Sequence, residues 1–295
     1  MRSRFTIQDL FMFLVALIWA LNFSVIKVAL LEIPPILFTT IRFVVSTILL
    51  IPLVARLEGG LGIVGGYHLR LFLLGVVGIT AYQLVFIIGV HNTNASNASL
   101  ILATSPIFTA IIAQAAKFDR LGPVAWAGVL ASFGGIYLVV TGGSGSPIGS
   151  ETLLGDLLIL FGASLWALST VMAVPVLQVI SPLKVTVYSM VWGTLLLLPF
   201  AAQSARGFDL STMSVTGWLA TAYSTIFAIL LSYVLWYKVV KDIGPTRTQI
   251  YTILVPVLAI IFAFFVLNER LNVLQWLGVA ICLYGVRITR VNKWL

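Results

Sequence analysis

The sequence predicts an all-α integral membrane protein whose ten transmembrane helices form two inverted five-helix repeats. Three observations predict it. First, 60% of the 295 residues are hydrophobic and only 9% are charged, with mean hydropathy +1.11. A soluble domain carries about 25% charged residues, so this chain could not cover a water-facing surface. Second, the chain repeats itself. Ile18-Trp19-Ala20-Leu21-Asn22 returns 147 positions later as Leu165-Trp166-Ala167-Leu168-Ser169, and the pairs Pro35/Pro182 and Pro52/Pro199 keep that offset. Further on the offset is 150, in Pro106/Pro256, Asp119-Arg120-Leu121/Glu269-Arg270-Leu271, Trp126/Trp276 and Gly128/Gly278. One indel of three residues after the second helix accounts for the change. Third, each half holds five apolar stretches. An odd number of crossings turns the second copy upside down in the bilayer.

A helix needs about 20 apolar residues to cross the hydrocarbon core. The first repeat, residues 1–141, supplies such runs at 9–30, 36–56, 69–90, 95–116 and 123–141. The second, residues 153–295, supplies them at 153–175, 183–203, 215–237, 246–267 and 273–290. Residues 142–152 link the two, opening on Gly142-Gly143-Ser144-Gly145-Ser146-Pro147, a flexible composition. Residues 1–30 could imitate a signal peptide, but their match to residues 153–175 makes them a repeat unit. Pro123, Pro182 and Pro245 stand at or just before helix starts, where a missing N–H costs little. Asn94 and Ser96 are candidate caps of helix four. Helix five repeats small residues at Ala127, Ala131 and Gly135, and helix ten at Gly278, Cys282 and Gly285. Such stripes allow close backbone approach, either between these two helices or against a second protomer, so the chain is a monomer or a homodimer through helices five and ten.

The net charge of +8 is scattered singly over span ends, not gathered on one face, which argues against a nucleic-acid partner. With the N-terminus inside, thirteen Lys and Arg fall on that side and three, Lys27, Arg206 and Arg270, on the other. The positive-inside rule then places both termini in the cytoplasm. Cys282 is the only cysteine, which excludes an internal disulfide and a cysteine-based metal site.

The Trp-Ala-Leu-Asn of helix one, Pro35 followed by Arg42-Phe43, and Asn-Glu-Arg-Leu before Gln275-Trp276-Leu277-Gly278 resemble the EamA branch of the drug/metabolite transporter superfamily. The resemblance runs over essentially the whole chain, in order and twice, and is nearest to amino-acid exporters of the YddG type. It implies a central cavity lined mainly by helices three, four, eight and nine, with help from one, two, six and seven, while five and ten stand apart as supports. Two positions depart from the pattern. Asp119 stands where the family usually has Glu, and Ser189 takes the place of Arg42 in the second repeat.

The residues themselves carry no enzyme motif. His68 and His91 are too far apart for a helical pair, and no phosphate-binding glycine loop is present. No cofactor or metal is expected. Arg42 lies about six residues inside helix two, roughly 9 Å deep at ~1.5 Å per residue. A charge there costs at least ~2.5–3.5 kcal/mol without partners or water. It reads either as a clamp for a substrate carboxylate or as a staple to helix-end carbonyls. Trp19 with Asn22, and Trp166 with Ser169, share a face at i, i+3 and read as symmetric cavity walls or as helix packing. Asn97 and Ile101 lie with Thr104 and Ser105 on one stripe of helix four, and Thr248 and Tyr251 lie on helix nine. Tyr82, Gln83 and Phe86 add an aromatic and amide surface from helix three. Trp236 and Tyr237 are assigned to the interfacial aromatic belt. Pro106 and Pro256 occupy matching sites in helices four and nine and read as hinges, gates or plain kinks.

Every acidic residue falls in a loop or near a span end, so no midplane carboxylate offers proton coupling. The expectation is therefore a multi-pass inner-membrane exporter of amino acids and related small metabolites. It would work by alternating access and facilitated flow, with a small-molecule substrate and the lipid bilayer as partners. The alternatives are a carrier for drugs, nucleosides or sugar-linked metabolites, and a channel.

Overall fold

Thr6 opens the first helix with a reciprocal cap: its hydroxyl accepts the Asp9 amide while the Asp9 carboxylate accepts the Thr6 amide at 2.6 Å. From there the computed structural model, which describes residues 6–62, 65–116, 122–144 and 152–291, is a bundle of apolar helices. They are α1 (Ile7–Ala29), α2 (Pro35–Leu57), α3 (His68–His91), α4 (Ala95–Ala115) and α5 (Pro123–Ser144). There follow α6 (Leu153–Leu177), α7 (Pro182–Ser204) and α8 (Val215–Ile243). The next rod, α9, runs as Pro245–Ile250, a 3₁₀ turn Tyr251–Ile253, and Leu254–Leu267. The last is α10 (Val273–Val291). Among the described residues seven helices, α1–α4 and α6–α8, are long and apolar enough to cross a membrane, and Leu254–Leu267 and Val273–Gly285 are shorter apolar helices. No strand is present among the described residues. Asp119 and Arg120, noted in the sequence, lie outside the described residues, as does most of the linker.

Two readings of the sequence need correction here, and one feature of the helices was not foreseen in full. Helix eight does not stop near residue 237. The charged turn that ended the apolar run stays helical through a Lys238–Asp242 pair at 3.3 Å, and Gly244, at φ 84°, ends it. Asn94 makes no side-chain cap on α4. Glu269 does that work from the far end of α9, accepting the Ala95 and Ser96 amides at 3.0 Å each and the Ser96 hydroxyl at 2.7 Å. A carboxylate there also sits favourably on the helix dipole. Asn268, at φ 56°, turns the chain so that Glu269 can reach. Finally, the helices are not continuous α-rods. α3 contains a π-helical stretch at Val76–Ala81 and α8 one at Ser224–Leu231, while α4 breaks at Ala103–Thr104 and α9 at its 3₁₀ turn.

Buried hydroxyls are absorbed locally. Thr40, Thr109, Thr186 and Thr221 each donate to the carbonyl four residues back, so polar side chains enter the core without orphaned protons. The helices α5 and α10 lie along each other. A Cβ on Gly135 would stand 2.5 Å from the Cys282 amide nitrogen and 2.7 Å from the Gly278 carbonyl oxygen, so the small-residue stripes meet within the chain.

Side-chain bonds sort the helix ends into two groups. At one end Lys27 reaches the His91 carbonyl, Glu32 receives Ser214, Glu269 caps α4, and Asp156 accepts Thr93. At the other, Gln8 meets Asp242, Ser181 donates to Glu58, and Lys184 donates to the Gly62 carbonyl. α1 therefore ends where α6 begins, and the two run in opposite directions.

Positions equivalent by sequence offset also meet in space. Trp19 and Trp166 touch edge to face at 5.6 Å, and the hydroxyls of Thr47 and Thr194, likewise 147 apart, lie 3.3 Å from each other. Gln83 and Tyr233, 150 apart, share a hydrogen bond of 3.0 Å. These three contacts join positions matched across the sequence repeat inside the bundle.

Candidate functional site

A partly open cavity lies beside two of these contacts, with Trp19, Trp166, Gln83 and Tyr233 all in its lining. Its floor is aromatic. The indoles of Trp19, Trp166 and Trp236 pack pairwise at 5.2–5.6 Å, and Tyr82 and Tyr233 lie 5.3 and 5.6 Å from Trp166. Tyr82 in turn stacks on Phe86. The Trp19 indole N–H donates to the Ala228 carbonyl, inside the π stretch of α8, at 3.0 Å. Those π stretches matter for placement. An extra residue in a turn re-aims everything beyond it, and Tyr82, Gln83 and Phe86 follow the one in α3 while Tyr233 and Trp236 follow the one in α8. The broken turn of α4 contributes Ser99, Leu102, Ala103 and Ser105, and α9 adds Thr252 and Val255 beside its own break.

Eight residues picked out from the sequence line this space: Trp19, Asn22, Arg42, Tyr82, Gln83, Phe86, Ser105 and Trp166. Six do not. Thr104 donates to the Ile101 carbonyl at 2.6 Å. Asn97 is buried and accepts from Gln275 at 3.3 Å, Ile101 is buried in the apolar core, and the Ser169 hydroxyl is turned back on the Trp166 carbonyl at 2.9 Å. Thr248 donates to the Gly244 carbonyl at 2.7 Å, and Tyr251 donates to the Asp9 carboxylate at the end of the bundle where α1 starts. A helical stripe aims all its members one way only while the helix is unbroken, and both α4 and α9 are broken. Pro106 is the second residue of Ser105–Ala115 and Pro256 the third of Leu254–Leu267. Each stands in a first turn, where it breaks no internal bond, so the discontinuity precedes the proline.

Trp236 and Tyr237 are not belt residues. Trp236 is fully buried against Trp19 and Trp166, and Tyr237 is buried as well. Proximity to a charged helix end suggested the interface, but α8 continues six residues past Tyr237 and carries both rings inward. Phe23, Ala228, Ile229 and Thr252 also line the cavity without having been singled out, whereas Val255 is the helix-nine position equivalent to Ser105. Tyr233, an aromatic that the sequence offers from helix eight, lines the cavity too, 150 positions after Gln83.

The wall is mostly neutral. Arg42 is its one charged residue among those described, and no Asp or Glu belongs to it. The guanidinium is 1% exposed, donating to the Ser224 hydroxyl at 2.8 Å and the Thr39 hydroxyl at 2.9 Å, over the Phe38 ring at 4.3 Å. The contacts of Arg42 do not fit the staple reading, since its partners are hydroxyls and not helix-end carbonyls. Asn22 Oδ1 and Gln83 Oε1 are buried with no hydrogen-bond partner among the described residues. Asp156, the other buried charged group, sits at the start of α6, away from this wall, and accepts the Thr93 hydroxyl at 2.5 Å. No three His, Cys, Asp or Glu side chains converge among the described residues. The arrangement can hold an amphipathic molecule of modest size by stacking and hydrogen bonds.

The family model for EamA-like transporters matches residues 6–141 and again residues 153–291. An uncharacterised transporter of Archaeoglobus fulgidus is 32% identical over 280 residues, covering 95% of this chain and 96% of its own. A probable amino-acid metabolite efflux pump of Escherichia coli is 29% identical over 287 residues, covering 93% and 92%. A crystal structure superposes with TM-score 0.67 at 16% identity, covering 97% of both chains, a likeness of fold.

Proposed function

This chain belongs to the EamA-like transporter family and is a multi-pass membrane protein, and from that premise we propose that it exports neutral amino acids and related small metabolites across an inner membrane. One observation carries the reading: a cavity with aromatic, amide and hydroxyl walls lies where residues matched across the repeat, Trp19 with Trp166 and Gln83 with Tyr233, meet. The double family match, the opposed directions of α1 and α6, and the paired defects in α3/α8 and α4/α9 support two inverted five-helix repeats and ten crossings. Inverted repeats enclosing a midplane site are built for alternating access, one half rocking against the other. Both termini lie on the cytoplasmic side in this reading, as the positive charges require.

The substrate class comes from chemistry and from kinship. Indole and phenol faces suit an apolar side chain, the unpartnered amide oxygens suit a polar head, and a relative is named as a probable amino-acid metabolite efflux pump. The cavity has no carboxylate among the described residues, which supports facilitated flow over proton coupling. Counterflow of labelled phenylalanine, leucine and methionine into preloaded proteoliposomes is the test. Saturable exchange, abolished by Trp166→Ala, is expected. Exchange of nucleosides or lipophilic cations with none of amino acids would select a different carrier, and conductance without saturation would select a channel.

A further inference from the structure

Arg42 stands as half of an ion pair. Its partners, the Ser224 and Thr39 hydroxyls, are neutral, and its Nε is buried with no partner among the described residues. The one ion pair among the described residues, Lys238–Asp242, lies elsewhere. A guanidinium offers five N–H donors in a planar fork, and the two hydroxyls engage one on each Nη. The remaining donors belong to a residue that lines the cavity. An isolated cation buried in an apolar bundle is costly, and a carboxylate in fork geometry is the partner that relieves it best.

At the position equivalent to Arg42 the second half has Ser189, which is buried and bonds the Val185 and Thr186 carbonyls of its own helix. The charge is thus single. Among the described residues no Asp or Glu lines the cavity, and the free acceptors there are the amide oxygens of Asn22 and Gln83.

Taking the cavity as the solute site, as proposed above, we infer that Arg42 selects solutes by a carboxylate it pairs with, and that an ammonium group is not required. The cargo class is then amphipathic monocarboxylates, of which neutral amino acids are one kind. The wall has a fixed cation for the acid group, but only neutral acceptors for an amine.

Calorimetric titration of the purified, detergent-solubilised protein with phenylalanine, 3-phenylpropanoate, phenylalaninamide and 2-phenylethylamine tests this. The two carboxylates are expected to bind, and the amide and the amine to bind about ten- to a hundredfold more weakly. Arg42→Gln should erase that ordering, and Arg42→Lys should keep part of it. Should Arg42→Gln fail to stay monodisperse, the wild-type ordering and the Arg42→Lys titration decide. Equal affinity for phenylalanine and its amide would overturn the inference while leaving amino-acid transport intact. Strong binding of phenylalanine with none of 3-phenylpropanoate would overturn the claim about the ammonium. Binding of none of the four would remove the amino-acid reading itself.

Discussion

Gln83 and Tyr233 show what a single pair does at the centre of this molecule. The Gln83 amide donates to the Tyr233 hydroxyl at 3.0 Å, joining the aromatic floor to the polar wall from opposite halves. Tyr233→Phe removes the acceptor and leaves a buried amide proton unpaired. A loss of about 1–3 kcal/mol is expected, read as a lowered melting temperature in detergent. Arg42 and Trp19 could be picked out from the sequence because each breaks a rule: a charge inside a span, and an indole beside an amide in a repeated motif. Trp236 could not, because its neighbourhood is indistinguishable from an interfacial belt until α8 is known to run on. Tyr251 was misplaced for a related reason. A 3₁₀ turn begins at that residue, and its hydroxyl is spent on Asp9 at the end of the bundle where α1 starts.

The elements themselves were legible as far as hydropathy reaches. Apolar runs located each helix, and all but the C-terminal end of α8 to within a few residues. The π stretches at Val76–Ala81 and Ser224–Leu231 leave no such trace: inserting one residue changes the turn but not the composition. The Glu269 cap on α4 was equally hidden, since its partner is 173 residues away. The contact between α5 and α10 was legible through its small residues, and it is tight. Gly135→Leu would drive a side chain into the backbone of Cys282 and Gly278. Overpacking of that kind costs about 1–3 kcal/mol. A lower thermal midpoint with unchanged affinity for solute is expected, since none of these residues lines the cavity.

For the whole molecule, the clasps at the two ends matter most, and Glu32 offers a direct handle on one of them. Its carboxylate accepts the Ser214 amide and hydroxyl, both at 2.7 Å, over the first turn of α8, binding the first half to the second. The Ser214 hydroxyl, followed by its amide, holds the Glu32 carboxyl below the usual carboxylate range. A lowered folded value means the clasp stabilises fully above the unfolded value of about 4.3 and fades as pH falls through the lowered one. The gap in melting temperature between wild type and Glu32→Gln should therefore be constant from neutral pH down to mild acid and close below it. A gap that widened on acidification would contradict this assignment.

The lone guanidinium has a kinetic consequence. In a carrier made of two identical, oppositely oriented halves, the inside-facing and outside-facing forms would be mirror partners with equal affinity for cargo. In the carrier proposed above, the charge would belong to one half only, with Ser189 at the equivalent position of the other. Half-saturation concentrations measured from the two faces of the membrane should then differ, and for a downhill carrier the two maximal velocities must differ in the same proportion. Such a molecule loads more readily from one side without any input of energy.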